Sequence, residues 1–525
     1  MNNEEKIAQD IYTISDLIGK GEYKTALNSF QKLEAKYPEN ISIKYNKVSV
    51  LIETGSGLKE SELIREGVTT GEIFLEDPSF DGLKPKLHYN IANGYIDLYK
   101  LERPGYKSIK EFVDNKNLQN AKYYYRKTLE DIEYIDLKSK IQLWTNYGNC
   151  LDSLGRHMEA MYVYDEVLNT DPDFAMALAN KALSIKFFAD ISGVYRKEMY
   201  ILSHQMLKSA LKKNSLIEFG GISAKRFFEL QTQLIERMFR DKALLNKNIQ
   251  HPKYDTVRMS QFEKYYLNFC VRHKLFLNFH IHQKECKASI LDSVFISIIT
   301  PINDTVTFYK LAKQINQIKE DYVVARLLLA QSQFENVDLN NISNRTAFVD
   351  SLDYSIFNIY IGLLKSAFKE AYDILDKIAR FINEYYQLGF NGDIYFSTIW
   401  QCKNNKNEWR INPKILDSEN LSLYALYDIF LDFKSHYYNR IRKIRNASVH
   451  ERLVIYDSEL TDWDKKTDKY NIGYKTMVSQ TIRLLQLVKS CIIYMINFVQ
   501  LEENKKRKKL NGLIGQMYVD AIQHL

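Results

Sequence analysis

The C-terminal half of the chain contains the run Arg440-Ile-Arg-Lys-Ile-Arg-Asn-Ala-Ser-Val-His450, and within it Arg445-Asn446 is followed after three residues by His450. Histidine, with an ordinary pKa near 6.5, accepts or donates a proton close to neutrality. Arginine stays charged and offers fixed donors to an anionic oxygen. Together these types suit one reaction in particular. RNA is cut without a metal when its 2′-OH attacks the neighbouring phosphate. That step needs a proton acceptor for the 2′-OH, a proton donor for the leaving 5′-oxygen, and a cation on the phosphate. It leaves a 2′,3′-cyclic phosphate and a 5′-hydroxyl. Arg440, Arg442 and Lys443 extend the positive charge and are the expected RNA contacts. No metal and no cofactor are expected. The spacing sets a geometric condition. Residues five apart on a continuous helix point about 140° apart and are separated by about 7.5 Å of rise. A single site therefore requires a break near Ala447-Ser448, or two protomers sharing one cleft.

The elements that must hold these residues read as long amphipathic helices. Across 351–385, Phe357, Ile361, Leu364, Phe368, Ala371, Leu375, Ile378 and Ile382 recur at steps of three and four. A second helix is expected over about 419–447, with Leu423, Leu426, Phe430, Phe433, Tyr437, Ile441 and Ile444 facing the core, and a third over about 474–500. Three such helices with short connections imply a helical bundle.

A motif Arg-Asn-x3-His at the end of an amphipathic helix in a bundle resembles the HEPN superfamily, whose R-x4-6-H motif it matches in the commoner R-N-x3-H form. The resemblance covers roughly residues 346–525. It implies a four- or five-helix bundle, metal-independent ribonuclease activity, and a dimer in which two arginines and two histidines line one cleft. Asn446 would orient His450 or a phosphate. The acidic residue that such nucleases often add from an earlier helix would be Asp376, which follows Leu375 as Arg445 follows Ile444, with Asp373 as the alternate. Some HEPN toxins are silenced by modification of a tyrosine in an H-x-Y pattern. Here His450 is followed by Glu-Arg-Leu-Val-Ile-Tyr456, which departs from it.

Upstream, residues 141–174 place Trp144, Tyr147, Gly148 and Leu151, then Ala160, Tyr164, Val167 and Pro172, in a pattern that resembles the tetratricopeptide (TPR) repeat of about 34 residues. Small residues let two antiparallel helices approach, large ones fill the gap, and proline ends the second helix. Gly21, Tyr23, Ala26, Phe30, Leu33 and Pro38 repeat the second half. A looser copy joins Tyr89–Tyr95 to Ala121, Tyr125 and Leu129 after an insertion, and 41–75 is a degenerate candidate. Ala26 and Ala160 are 134 apart, close to four periods. A repeat arm before a HEPN bundle resembles a family of bacterial fusions of this kind.

Composition agrees with an all-α chain. There are 20 Gly and 8 Pro in 525 residues, well below the roughly 7% and 5% of ordinary proteins. The net charge of +7 is unevenly spread: residues 1–190 carry 24 Lys/Arg against 30 Asp/Glu, 191–350 carry 23 against 15, and 351–525 carry 25 against 20. An acidic arm thus precedes a basic remainder that suits polyanions. Five cysteines at 150, 270, 286, 402 and 491 form no disulfide framework, which favours a reducing cytoplasm. The acidic N-terminus lacks a signal core, and no segment is expected to reach the roughly 18 apolar residues of a membrane span. Cys270, His273, His280, His282 and Cys286 fit no usual zinc spacing, and Leu275–Phe279 between them reads as core.

The expected organisation is a TPR-like arm over 1–190, a helical middle domain over 191–345 and a HEPN-like bundle over 346–525. The expected function is a dimeric, cytoplasmic RNA endonuclease acting in phage defence or stress response. Its partners are an RNA substrate, a second copy through the bundle, and a peptide or protein ligand on the arm, without a membrane. The alternatives are a non-catalytic TPR/HEPN scaffold and a nucleic-acid-binding middle domain. The basic run Lys505–Lys509 is expected to be a solvated or phosphate-attracting face.

Overall fold

Apolar stripes at helical spacing, joined by short polar links, produce antiparallel helix pairs. The computed structural model describes residues 3–102, 108–193, 195–249, 251–281, 286–299, 305–404, 406–457 and 470–509. Helix takes 73% of the described residues, so the fold is all-α. In the N-terminal arm, α1 (Asn3–Gly19) pairs with α2 (Tyr23–Lys36), and α3 (Ile41–Leu58) with α4 (Ser61–Leu75). Next, α5 (Lys84–Glu102) pairs with α7 (Asn117–Glu130) around the short α6 (Ile109–Asp114), and α8 (Leu137–Ser153) with α9 (His157–Thr170).

The residues of the repeat pattern sit at the helix contacts. Ala26, Ala121 and Ala160 are fully buried. A Cβ on Gly148 would lie 2.4 Å from the Tyr164 ring, so only glycine lets α8 and α9 close to this distance. Pro172 follows the end of α9 at Thr170. The spacing of Ala26 and Ala160 has a different origin from the one its length suggests. Two hairpins, not three, lie between those of α2 and α9. The extra length is the turn Pro78–Leu83 and the insertion bearing α6.

The arm does not end at residue 190. A further pair, α10 (Ala175–Ile191) and α11 (Arg196–Leu211), straddles that position, and α12 (Ser215–Met238) packs on α11. The bundle in turn begins before residue 346, because α14 (Thr305–Ser332) lies along α16 (Ile359–Tyr386). Between them come α13 (Gln261–Arg272) and an irregular stretch that wedges arm against bundle. Leu275, Phe276, Leu277 and Phe279 are buried there. Lys274 reaches Asp165 at 2.6 Å, and its carbonyl accepts from Lys489 at 3.0 Å. The Cys/His run is part of this core: burial pushes the Cys270 thiol up to about 12, and His280 contacts the Lys274 carbonyl at 3.0 Å. His282 lies outside the described residues.

One apolar cluster runs from Ala92 in the arm to Val499 in the bundle, whereas two separate small cores lie at the start of the arm, one among α1, α2 and α3 and one among α3, α4 and α5. At the seam Gly155 has a φ of 76°, and a Cβ on it would lie 2.5 Å from the Leu421 carbonyl oxygen. Glycine is required there on both counts.

In the bundle, α15 (Val337–Ser343) precedes α16, which Asn358 caps by accepting from the Ile361 N–H at 3.0 Å. Ile361, Leu364, Phe368, Ala371, Leu375, Ile378 and Ile382 are buried, while Phe357 stays ahead of the helix and exposed. The second expected helix is two: after the short α17 (Pro413–Leu416), α18 (Leu421–Lys434) stops and α19 (Asn439–His450) starts in a new direction. Leu423, Leu426, Phe430, Phe433, Ile441 and Ile444 are buried as expected, but Tyr437 lies in the break and is exposed. The closing helix is α20 (Tyr474–Lys509). By length and composition it is apolar enough to cross a membrane, contrary to the sequence expectation. However, 83% of its most apolar window is buried inside the protein, where it is the central bundle helix. The basic run at its end makes local contacts: Lys505 with Glu502 at 3.2 Å and Lys506 with Glu503 at 2.6 Å.

Two short strand pairings, which the helical reading missed, complete the bundle. Gln401–Lys403 (β1) and Trp409–Ile411 (β2) are antiparallel, and Val454–Tyr456 (β3) and Asn471–Gly473 (β4) are parallel. The β3 run Val-Ile-Tyr is all β-branched or aromatic and fully buried. Its other edge takes the Ile356 N–H on the Ile455 carbonyl at 2.8 Å, which anchors the chain directly after His450.

Candidate active site on helix α19

Helix α19 buries Ile441, Ile444 and Ala447 at three-residue steps against α16. The seam holds one side down and leaves Lys443, Asn446, Val449 and His450 exposed on the other. The helix is unbroken to His450: Ser448 donates to the Ile444 carbonyl at 2.7 Å, and the Glu451 N–H still reaches the Ala447 carbonyl at 3.3 Å. The expected break at Ala447-Ser448 is therefore absent.

The two motif residues nevertheless meet within one chain. Arg445 Nη1 lies 3.3 Å from His450 Nε2 and 3.5 Å from Asn446 Oδ1. The length of the arginine side chain spans the rise that separates the backbones, and His450 occupies the last turn, where nothing follows to block it. Neither a helix break nor a second protomer is needed to bring the pair together. A guanidinium carries no acceptor. The contact thus requires Nε2 to be unprotonated, with the ring proton of the neutral form on Nδ1. In that state Nε2 is a base next to a fixed positive charge. Such a pair can take a proton from a hydroxyl while the guanidinium holds a neighbouring oxyanion.

Arg445 has further support. Its guanidinium lies 5.6 Å from the centre of the Tyr372 ring, and its Nε is buried without a hydrogen-bond partner. Tyr372 was not singled out in the sequence. Its signal was its place one turn before Asp376 on the same helix face.

Asp376, the expected acidic residue, makes its hydrogen bond away from Arg445. Its Oδ1 accepts the Phe396 N–H at 2.8 Å, and among the described residues it forms no ion pair with Arg445. Burial pushes its carboxyl up, opposed by the Phe396 N–H and by the Arg445 charge. Asp376 therefore ties the loop after α16 to the helix beneath the motif and lies within electrostatic reach of the arginine. Of the other basic residues, Arg440 and Lys443 are exposed. Arg442 turns back to the break, 3.1 Å from His436 Nδ1 and 3.4 Å from Asn439 Oδ1.

A second polar constellation, which no motif announced, lies at the end of α18. Asp428 and Asp432 are buried against three cations of the arm: Lys122, Arg126 and Arg156. Arg126 binds Asp432 through two donors at 2.6 and 2.8 Å. Burial pushes the Asp432 carboxyl up, but Arg126, Lys122 and Arg156 outweigh it and hold the group well below the usual carboxylate range.

Residues 302–502 match the family model of the LA2681-like HEPN domain. The HEPN match starts just before α14 and ends within α20, so it takes in α16, α18 and α19 and places Arg445 and His450 inside it. It also agrees with α14 as a bundle helix, which moves the start of the HEPN segment some 40 residues ahead of the sequence-based boundary at 346. The arm lies outside the match. No curated protein matches the chain.

Proposed function

We propose that the chain is an endoribonuclease that cuts RNA without a metal, with Arg445 and His450 as its reactive pair. The observation that carries this reading is the 3.3 Å approach of Arg445 Nη1 to His450 Nε2 at the exposed end of α19, inside a segment similar to HEPN domains, many of which are ribonucleases. His450 Nε2 takes the 2′-OH proton, Arg445 holds the phosphate, and the exposed Lys443 and Arg440 attract the RNA backbone. Asn446, beside the guanidinium, orients it or the phosphate. A second copy of the chain, joined through the bundle, supplies the proton donor for the 5′-oxygen. The exposed apolar residues Phe348, Val349, Leu352 and Tyr354 beside β3 support such a contact.

The arm serves as a sensor for a peptide or protein, in a stress response or phage defence. Its support is a concave groove of about 310 Å³ lined by Glu53, Asn90, Asn93, Asp97, Tyr125 and Asn146.

The test is RNA cleavage with a chelator present, comparing wild type with Arg445→Ala and His450→Ala. Wild type is expected to release 2′,3′-cyclic phosphate ends, and each variant to lose about 10²–10⁴-fold in rate while keeping its helix content and thermal midpoint. Equal cutting by His450→Ala sinks the reading and leaves the non-catalytic scaffold in its place.

A further inference from the structure

Helix α19 does not inherit its direction from α18. Four residues, Ser435 to Tyr438, separate them, and His436 in this break holds a φ of 68°, a conformation that side-chain-bearing residues rarely adopt. The aim of Arg445 and His450 thus depends on what fixes the break. Its main-chain hinge is Asp432, whose carbonyl accepts the Tyr437 N–H at 3.0 Å. The carboxylate of the same residue belongs to the arm: Arg126 binds it with two donors, Lys122 lies at 2.7 Å, and Arg156 also reaches it.

The far side of the break is held by the arm as well. Arg156 Nη2 donates to the Tyr438 hydroxyl at 3.1 Å, and the Arg126 guanidinium stacks 3.5 Å from the centre of the Tyr437 ring. The bundle adds main-chain bonds to Leu431 and Asp432, the Arg442 contact to His436 at 3.1 Å, Phe433 on Tyr438 at 4.9 Å, and Arg483 above Tyr437 and Tyr438 at 5.0 and 5.4 Å.

The chemistry of this seam is unusual for a mere docking surface. Lys122 and Arg126 stand four apart on α7, and Asp428 and Asp432 stand four apart on α18, so two charged ladders face each other with all four residues buried. Apolar pairs would hold two helices together as firmly. Directional bonds to one carboxylate and one hydroxyl do something else: they fix the register and the angle of the chain that follows.

We propose that Lys122, Arg126 and Arg156 of the arm are positioning residues for the Arg445/His450 pair, acting through Asp432 and Tyr438 on the break that aims α19. The proposal rests on the reading of that pair as the reactive site. It makes the arm a structural part of the nuclease centre: a ligand on the arm reaches the site through this seam and does not need to cover it.

The test uses the full chain and mild variants. Tyr438→Phe removes one hydroxyl and keeps the ring on Phe433. Arg156→Lys keeps the charge and loses the forked geometry. Phe30→Leu, buried in the first hairpin, loosens the distant end of the arm as a control. Backbone hydrogen exchange is followed across 439–450, together with kcat and KM on RNA. Tyr438→Phe and Arg156→Lys are expected to speed exchange in α19 about tenfold or more and to lower kcat about tenfold with KM little changed. Phe30→Leu is expected to change neither. Unchanged exchange over 439–450 in both seam variants overturns the proposal, as does faster exchange with full kcat. If wild type does not cut RNA but the seam variants still speed exchange in α19, the nuclease reading fails and the link from arm to α19 stands.

Discussion

Two arginine-centred constellations, Arg126 of α7 against Asp432 of α18 and Arg445 of α19 beside Tyr372 of α16, use the same side-chain chemistry in opposite ways. At the seam, Arg126 spends its Nε on Tyr147 at 3.0 Å, both terminal nitrogens on Asp432, and its face on Tyr437. On α19, Arg445 has one long contact to His450, one to Asn446, and a buried Nε with no partner. The first arginine is saturated by a buried acid and is therefore structure. The second has two long contacts, to His450 and Asn446, at the exposed end of α19, and those donors can turn to an anionic substrate. Charge alone does not mark a site. What marks it is charge whose hydrogen-bonding capacity the fold leaves unfilled at the surface.

The contrast can be broken in order of effect. Asp432→Ala should cost the most, about 3–5 kcal/mol, because it leaves the buried Arg126 without its acid and leaves Lys122 and Arg156 to Asp428 and Glu159. A urea titration should show this loss. A loss below about 1 kcal/mol would mean that water reaches the seam and that the two arginines differ less than their burial suggests. The same carboxylate sets an acid limit. Its folded pKa is depressed, so its contribution is present above the unfolded value of about 3.9 and is lost as pH falls toward the folded one. Intrinsic fluorescence and scattering against pH should place the undocking of arm from bundle below about pH 4.

Gly148→Ala tests packing within the arm without touching either charge cluster. The added carbon meets the Tyr164 ring and should cost about 1–3 kcal/mol in a thermal melt, with RNA cleavage unchanged per folded molecule. The smallest effect on stability belongs to Asp376→Asn. The folded pKa of Asp376 is raised by burial, so the ionised carboxylate weakens the fold as pH rises through that value. The amide can still accept from Phe396. The variant's thermal midpoint at pH 7 should therefore equal or exceed that of wild type, while cleavage falls if the Asp376 charge supports Arg445. A lower midpoint across the whole pH range would instead make Asp376 a purely structural acceptor.

Much of this was legible in the chain. The helical period marked α16 and α20 and most of α18 and α19, because burial of one face writes a period of 3.6 into the residues. Gly148, Ala160 and Pro172 stood out because close helix contact and helix ends restrict residue type. The Arg445/His450 pair was readable from type and spacing, and the neutral-pH chemistry open to it follows from the side chains alone.

Other features had no local sign. The break at Ser435–Tyr438 lies in a stretch whose period runs on through Tyr437, and it is stabilised by Arg126 and Arg156, some 280 to 310 residues earlier. The apolar length of α20 reads the same in a membrane and in a bundle. Only its burial among the other helices separates the two. Arg445 and His450 meet without a helix break or a second protomer because helical wheels place backbones, not the ends of long side chains. Sequence determined which residues can do chemistry and which faces must be buried. Tertiary structure decided where the helix turns, which charges are consumed and which remain free. Those outcomes depend on contacts between residues far apart in the chain, where no short-range period or propensity acts.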